Sequence, residues 1–290
     1  MAKKKHWIKR FLKIVGILFS IFFIAFLVAI YQFSKPKSDK YIIKKFENFG
    51  FQPNISYTNF EEYKVRLIAM QKAIDTTLPT LIFVHGSPGS SMDFKEYLTD
   101  SLLNKKTNII TYDRIGYSVE KHEKVLNNIN KEVAVLHKVI GDFPIDKVIL
   151  VGYSYGGTIV MAASKHYKTK IVLAPSVKGE FEPVYWILNF YKWKLTRPLI
   201  PRIFQNAALE KLTHINELTT FENKWTSSFS PVYSIHGDSD RIVPFKNSLY
   251  LKEIFSDNQF SLKTIDEGTH ALVWTHFDLI RNEILKILNK

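Results

Sequence analysis

The chain has 290 residues, of which 46% are hydrophobic, 23% are charged and none is cysteine. This composition excludes a wholly disordered protein, and the lack of cysteine excludes disulfides, thiolate metal sites and a cysteine nucleophile. The net charge of +13 is mostly terminal, since residues 1–37 hold eight basic side chains and no acidic one, so we expect no nucleic-acid partner.

A stretch of 20 residues without charge, residues 14–33, follows the basic N-terminal tail, residues 1–13. As a helix it would span about 30 Å, which is the thickness of the hydrocarbon core of a bilayer. A cleaved signal peptide is the alternative, but its apolar region is typically shorter and ends at a small-x-small site, which is not evident after Ala29. We therefore predict an uncleaved transmembrane anchor whose partner is the lipid bilayer.

The distribution of basic residues around this segment bears on its orientation. Six lie in residues 1–13 and five lie in residues 34–50, so both flanks are positive. The amino-side cluster is closer to the apolar stretch, which favours a cytoplasmic N-terminus. We predict a single-pass membrane protein whose large domain lies outside the cytoplasm.

In the remainder of the chain we predict a linker and first helix at 34–54, followed by one α/β domain at 55–290. Alternating polarity from Tyr63 to Met70 indicates an early, half-exposed strand. Later apolar runs each stop at small or polar residues, and runs that are apolar on both faces are typical of parallel strands covered by helices. These runs begin at Thr80, Asn108, Lys147, Lys170, Pro231 and Phe260, with a helix predicted between Asn128 and Ile140.

Residues 177–226 interrupt this series of short apolar runs. About 50 residues between two strands are too many for a plain connection, and the segment is rich in aromatic residues and contains three prolines. We predict a helical cap over the site. Its aromatic and basic side chains, among them Trp193 and Lys194, fit either contact with a bilayer or packing of the cap onto the domain.

The sharpest motif is Gly-Tyr-Ser-Tyr-Gly-Gly at 152–157, which stands between a predicted strand and a predicted helix. Glycines two residues before and after a serine permit the tight strand-to-helix turn that exposes a nucleophilic hydroxyl. A glycine-rich turn with an incidental serine is the alternative. A serine needs a base, and the base needs a group that orients it; Asp240 and His270 each follow a later predicted strand.

Five blocks in this order resemble the α/β-hydrolase superfamily, in its serine-nucleophile, cap-containing branch, over residues 55–290. They are HGSPGS (85–90), YDRIGYS (112–118), GYSYGG (152–157), HGDSDRIVP (236–244) and GTH (268–270). The resemblance implies an α/β fold with a mostly parallel sheet and helices on both faces. It also implies a nucleophile, an acid, a base and two oxyanion-hole N–H donors, which fall respectively on Ser154, Asp240, His270 and the backbones of Ser87 and Tyr155.

Neighbouring polar residues offer alternatives for these roles. Asp238 is the rival acid, although the family spacing falls on Asp240, and His276 is the rival base, although it stands where the final helix should begin. The resemblance assigns structural roles to four further residues: His85, Asp113, Arg114 and His236. No cluster has metal-ligand spacing, and we expect neither a metal nor a cofactor.

A serine nucleophile implies chemistry through an acyl-enzyme. We predict a carboxylic-ester hydrolase that acts on a small-molecule ester or other acyl substrate. The same triad would also serve a peptidase, a thioesterase or an acyltransferase. A membrane-tethered binding protein without catalysis is the alternative of another class, because a fold does not by itself establish a function.

Overall fold

A computed structural model describes residues 2–71, 73–119 and 124–289. Its central element is an eight-stranded sheet with the spatial order β1-β2-β4-β3-β5-β6-β7-β8. The strands are β1 (Asn54–Phe60), β2 (Tyr63–Ala69), β3 (Thr80–Val84), β4 (Asn108–Tyr112), β5 (Val148–Tyr153), β6 (Thr169–Leu173), β7 (Val232–Gly237) and β8 (Phe260–Ile265).

The sheet is parallel from β4 to β8, and only β1 and β2 run antiparallel to their neighbours. The predicted mostly parallel α/β architecture is therefore confirmed. Strand β1 was not predicted, because its sequence, Asn-Ile-Ser-Tyr-Thr-Asn-Phe, is polar and half-exposed. It is recognisable only as the outer arm of a hairpin in which Phe60 pairs with Tyr63.

Eleven α-helices occur in the described part of the chain, and one of them covers Ile129–Ile140, within the predicted range. That helix is capped by the side chain of Asn128, which accepts a hydrogen bond from the backbone N–H of Lys131. The helices are α1 (Ala2–Phe33), α2 (Asp39–Glu47), α3 (Lys95–Leu98), α4 (Ser101–Lys106), α5 (Ile129–Ile140), α6 (Tyr155–Ala162), α7 (Leu188–Lys192), α8 (Arg202–Thr219), α9 (Lys246–Ile254), α10 (Leu272–Thr275) and α11 (Phe277–Leu288).

Helices cover both faces of the sheet, so the central strands are apolar along their whole length. Successive residues of β3 alternate between two cores, since Leu81 and Phe83 pack on one face and Ile82 and Val84 on the other. This is the alternation that a pleated strand imposes on its side chains. It explains why these strands read as continuous hydrophobic runs in the sequence.

The connection from β6 to β7 carries α7, α8 and three short 3₁₀ turns, at Gly179–Phe181, Arg197–Leu199 and Trp225–Ser227. Trp225 ties the end of this segment to its beginning, because its buried indole N–H donates to the carbonyl of Val177 at 3.0 Å. The segment is a helical insertion anchored at both ends. We call it the cap.

Helix α1 contains a stretch, His6–Phe33, that is long and apolar enough to cross a membrane, and it is the only such stretch within residues 2–71, 73–119 and 124–289. The chain that follows α1 is fixed to the domain by Arg66, which donates to the carbonyl of Lys37 and pairs with Asp39 of α2, both at 2.8 Å. Ile42 and Phe46 of α2 are fully buried against the sheet. The connection between α1 and the domain is thus short and packed.

Strand β6 buries a lysine in the middle of the sheet. Lys170 is 1% exposed, and its Nζ donates to the carbonyl of Met161 at 3.2 Å. Burial lowers the pKa of its ammonium group to about 7, because the charged form loses its hydration.

We predict that Lys170→Met stabilises the fold by on the order of a few kcal/mol at about pH 6. In the unfolded chain the lysine keeps a pKa near 10.4, so between about pH 7 and pH 10 the unfolded state binds more protons and wild-type stability rises with pH. The gain from the substitution should therefore shrink towards high pH. Urea unfolding at about pH 6 and pH 9.5 measures it, with the exposed Lys263→Met as control. An equal gain at both pH values would contradict the account.

Candidate active site

The candidate site lies at the carboxyl edge of the parallel strands, where ligands bind in open α/β sheets. The loops that follow β3, β5, β7 and β8 meet there, and they carry the predicted residues. The loops after β7 and β8 touch closely, since the backbone N–H of Ser239 donates to the carbonyl of Gly268 at 3.0 Å. A Cβ at Gly237 would lie 2.1 Å from that same carbonyl oxygen, so only glycine permits this approach.

Ser154 stands at the turn between β5 and α6 with φ 54° and ψ −120°, a strained conformation for a residue with a side chain. The turn is so tight that a Cβ at Gly152 would lie 2.4 Å from the carbonyl oxygen of Gly156. The glycines of the motif are thus required by close backbone approach. The serine side chain is placed above the sheet at the N-terminus of α6.

The structure brings Ser154, His270 and Asp240 into one chain of hydrogen bonds. His270 Nε2 lies 3.1 Å from Ser154 Oγ, and His270 Nδ1 lies 2.7 Å from Asp240 Oδ2. Tyr153, which the sequence did not single out, donates its hydroxyl to the carbonyl of His270 at 2.7 Å and holds the loop after β8. With Nδ1 protonated towards the carboxylate, Nε2 is free to accept the serine proton.

Asp240 is buried and fully hydrogen-bonded. Its Oδ1 accepts the backbone N–H groups of Ile242 and Val243 at 2.8 and 2.9 Å, while its Oδ2 faces His270 and also lies 3.4 Å from His236 Nε2. Burial alone would raise the pKa of this carboxyl, but the hydrogen bonds from His236 and His270 hold the pKa well below its usual range. The group therefore stays ionised at neutral pH.

The alternative acid and base lie elsewhere. Asp238 is exposed, and its carboxylate accepts a hydrogen bond from Ser239 rather than from a histidine. His276 stands directly before α11 and contacts the hydroxyl of Thr275. His236 is buried and bonds Ser248 and the carbonyl of Val243, so it braces the loop that carries Asp240.

His85 shapes the loop that follows β3. Its Nε2 accepts the backbone N–H of Arg114 and its Nδ1 faces the carbonyl of Gly86, both at 2.9 Å. Burial, together with the charge of Arg114, lowers its pKa to about 3, so the ring is neutral. Ser87 follows on the same loop, and it lines one cavity with Ser154 and Tyr155. Among the described residues, neither the backbone N–H of Ser87 nor that of Tyr155 has an acceptor.

A buried ionic network behind this loop was missed by the sequence analysis. The guanidinium of Arg114 pairs with Glu132 of α5 at 2.7 Å and with Glu210 of the cap helix α8 at 2.5 Å. Glu210 also accepts the hydroxyl of Tyr117 at 2.6 Å, and that hydroxyl lies 2.8 Å from Ser87 Oγ. Burial raises the pKa of Glu132, although Arg114 opposes the shift. The two carboxylates lie 18 and 96 residues from Arg114, so no local motif marks them.

A cavity of about 800 Å³ opens above Ser154, a volume within the range of about 300–1,000 Å³ typical of small-molecule sites. Its lining is mostly apolar, with a smaller number of polar side chains. The polar lining includes Ser176, whose hydroxyl lies 3.0 Å from His214 Nε2, and Glu182, which pairs with Lys211. No group of three His, Asp or Glu in the described ranges is arranged to hold a metal ion.

Comparison with known proteins agrees with this architecture. A family model described as the α/β hydrolase fold matches residues 79–196. A solved structure of a membrane phospholipase A, described as a novel bacterial virulence factor, superposes with a TM-score of 0.58; it is 10% identical and the match covers 97% of this chain and 98% of that one. The chain has the α/β-hydrolase fold.

Curated relatives of this α/β-hydrolase-fold chain have several names. A putative non-heme chloroperoxidase from Synechocystis sp. is 24% identical over 254 residues, which cover 72% of this chain and 90% of the relative. A proline iminopeptidase from Thermoplasma volcanium is 36% identical over 96 residues, or 31% of each chain. Because the named activities of these relatives differ, the reaction has to be inferred from the side chains of the site.

The Arg114 network yields a stability prediction. Arg114→Met should lower the free energy of unfolding by about 3–5 kcal/mol, since it leaves two buried carboxylates without their cation. Urea unfolding of the full chain in mild detergent measures the change. Arg241→Met, at an exposed arginine, is the matched control. A loss below about 1 kcal/mol in Arg114→Met would show that the network is not needed for stability.

Proposed function

We propose that this protein is a membrane-anchored serine hydrolase that cleaves carboxylic esters through an acyl-enzyme on Ser154. The observation that carries the proposal is the hydrogen-bonded chain Ser154–His270–Asp240 beneath a substrate-sized cavity. A serine becomes a nucleophile when an oriented base takes its proton, and this is the geometry that does so.

In the proposed cycle His270 Nε2 accepts the proton of Ser154 as Oγ attacks the substrate carbonyl carbon. The ionised Asp240 stabilises the imidazolium that forms and keeps the ring in its tautomer. The carbonyl oxygen becomes an oxyanion, and the unpaired backbone N–H groups of Ser87 and Tyr155 are the donors for it. The N-terminus of α6 adds a favourable dipole at the same place.

The tetrahedral intermediate that carries this oxyanion then breaks down. The bond from the carbonyl carbon to the alkoxy oxygen breaks, and His270 gives its proton to the departing alcohol. Water enters, His270 takes its proton, and hydroxide attacks the acyl carbon, so that the carboxylic acid leaves and Ser154 recovers its proton. No group outside the three side chains, the two backbone N–H donors and water is required.

The apolar cavity and the likeness to the phospholipase together support an ester as the substrate. The lining of the cavity is mostly apolar, which suits an acyl chain, and the phospholipase named above is an ester hydrolase with a similar fold over nearly the whole chain. The iminopeptidase similarity covers about a third of the length, so a peptidase is the alternative on the same triad, beside a thioesterase or an acyltransferase. A non-catalytic binding protein would have no use for an oriented histidine beside a strained serine.

Helix α1 is the proposed anchor, with the N-terminal tail in the cytoplasm and the hydrolase domain outside it. Support comes from the 28-residue apolar stretch and from the basic residues that precede it. In this arrangement residues 14–33 bind the lipid bilayer, and the substrate is a small-molecule ester.

Ser154→Ala is the first test. We expect a fluorophosphonate to label the wild-type protein and not the variant, because the probe reacts with an activated serine hydroxyl. Hydrolysis of p-nitrophenyl esters should fall by at least about 10³-fold, since removal of a triad member eliminates the acyl-enzyme route. Ser230→Ala, at a buried serine that is not among the residues lining the cavity, serves as control for labelling. Continued labelling of Ser154→Ala would refute the assignment of the nucleophile.

The second test separates the two candidate acids. Asp240→Asn should lower kcat for an ester by about 10⁴-fold, because an amide no longer selects the histidine tautomer that the serine needs. Asp238→Asn makes the same change on the exposed neighbour and should leave kcat within about twofold of wild type. The comparison uses initial rates at saturating p-nitrophenyl butyrate. A larger loss in Asp238→Asn would exchange the two assignments.

A further inference from the structure

The last turns of helix α1 form one wall of the cavity above Ser154. Phe26, Leu27, Ile30 and Phe33 line the same space as Ser154 itself. A helix that served only as a tether would have no reason to contribute side chains to the site. The hydrolysis of an ester at Ser154 does not by itself require these side chains of α1 in the cavity lining.

One face of the helix makes this contact. Leu27 and Ile30 are half-buried and lie three residues apart, so they share a face of α1, and Ser34 continues it one turn later. Val28 points away and is 54% exposed, and Phe22, further towards the N-terminus, is 70% exposed. The domain thus contacts the C-terminal end of the helix, whereas the side chains of residues 6–26 are exposed and free for lipid.

The cap lines the same cavity. Leu188, Phe190 and Phe204 line the cavity from α7 and α8. The rim of the same cap exposes large apolar side chains, with Trp186 74% and Leu195 88% exposed. Single exposed apolar residues are ordinary, but a group of them beside an apolar cavity marks an interaction surface. The group comprises Val184, Trp186, Ile187, Trp193, Leu195 and Leu199.

The position of α1 in a bilayer fixes where this cavity would open. Residues 26–33 are the last part of the apolar stretch, and at 1.5 Å per residue they cover about 10 Å of depth. They lie next to the headgroup level on the side of the domain. Lys192 and Lys194 are exposed near the apolar rim of the cap, and cationic side chains beside aromatic ones are typical of that level.

We propose that the substrate is a membrane lipid ester with a long acyl chain, which enters the cavity from the bilayer between α1 and the cap. This inference rests on the proposed ester hydrolysis at Ser154 and names its substrate class. The acyl chain lies along the apolar lining, and the ester group reaches Ser154, whose Oγ forms a bond to the acyl carbon before the bond to the alkoxy oxygen breaks. Water then releases the fatty acid, and the alcohol portion remains the other product.

The chain directly after this wall is tied to the domain. Arg66 is buried, and it holds both the residues just after α1 and, at 2.6 Å, Asp113 at the end of β4. An acyl chain that entered from water would meet the apolar opening of the cavity beside the apolar helix α1. An acyl chain that entered from the bilayer would exchange one apolar environment for another, with no loss of apolar burial.

The test uses the full chain in vesicles of phosphatidylcholine and phosphatidylglycerol. The substrates are p-nitrophenyl palmitate in the bilayer and p-nitrophenyl acetate in the buffer, and the measured quantity is the ratio of the two turnover rates. Ile30→Trp fills the space between α1 and the cap. Its matched control, Val28→Trp, places the same ring on the opposite face of the helix.

We expect the palmitate-to-acetate ratio to fall by at least about tenfold in Ile30→Trp, the scale on which apolar pockets discriminate by fit. The ratio should stay within about twofold of wild type in Val28→Trp. Labelling of Ser154 by a small fluorophosphonate checks that each variant is folded, and flotation with the vesicles checks insertion. If Ile30→Trp does not label, Leu27→Trp takes its place.

Equal ratios in wild type, Ile30→Trp and Val28→Trp would overturn entry along α1, while turnover of the acetate and labelling of Ser154 would leave the proposed function intact. Failure of the wild type to hydrolyse either ester or to label would instead overturn the proposed function. A ratio that fell equally in both tryptophan variants would trace the effect to insertion of the helix and would also overturn the proposal.

Discussion

The turn between β5 and α6 is the constraint on which the rest of the site depends. Ser154 is held at positive φ, a conformation that costs on the order of 1–3 kcal/mol and persists only where the surroundings over-determine it. The surroundings do so here, because β5 is paired on both sides, with β3 and with β6, and is buried along its whole length. The strand fixes the start of the turn, and α6 fixes its end.

Everything else in the site is positioned relative to that turn by the sheet. Strands β7 and β8 are parallel to β5, so the loops that carry Asp240 and His270 leave the sheet at the same edge as Ser154. The cap then closes over this edge. It is joined to the domain below by Glu210, whose carboxylate reaches the buried Arg114, so the roof of the cavity and the loop of Ser87 share one ionic network.

Much of this architecture could be predicted along the chain. The central strands are buried on both faces, and their continuous hydrophobic runs therefore mark them without knowledge of their neighbours. Strand β1 was not predicted, because apolar and polar residues alternate only weakly in this edge strand of a hairpin and several of its residues are polar. The burial of Glu132 and Glu210 was not predicted for another reason. A glutamate on an amphipathic helix is normally expected to face solvent, and only the packing of α5 and α8 turns these two side chains inward, towards Arg114.

The sequence by itself determined the parallel α/β sheet, the tight turn at Ser154 and the candidate partners Asp240 and His270, because local spacing and strand-end position encode those features. It also determined that residues 14–33 are apolar enough to span a bilayer. Only the tertiary structure decided that the hydroxyl of Tyr153 holds the loop of His270, that a cap glutamate neutralises Arg114, and that Ile30 of the apolar helix lines the cavity of Ser154. Each of these is a contact between segments far apart in the chain, and a side chain's partner across such a distance is set by packing rather than by local pattern.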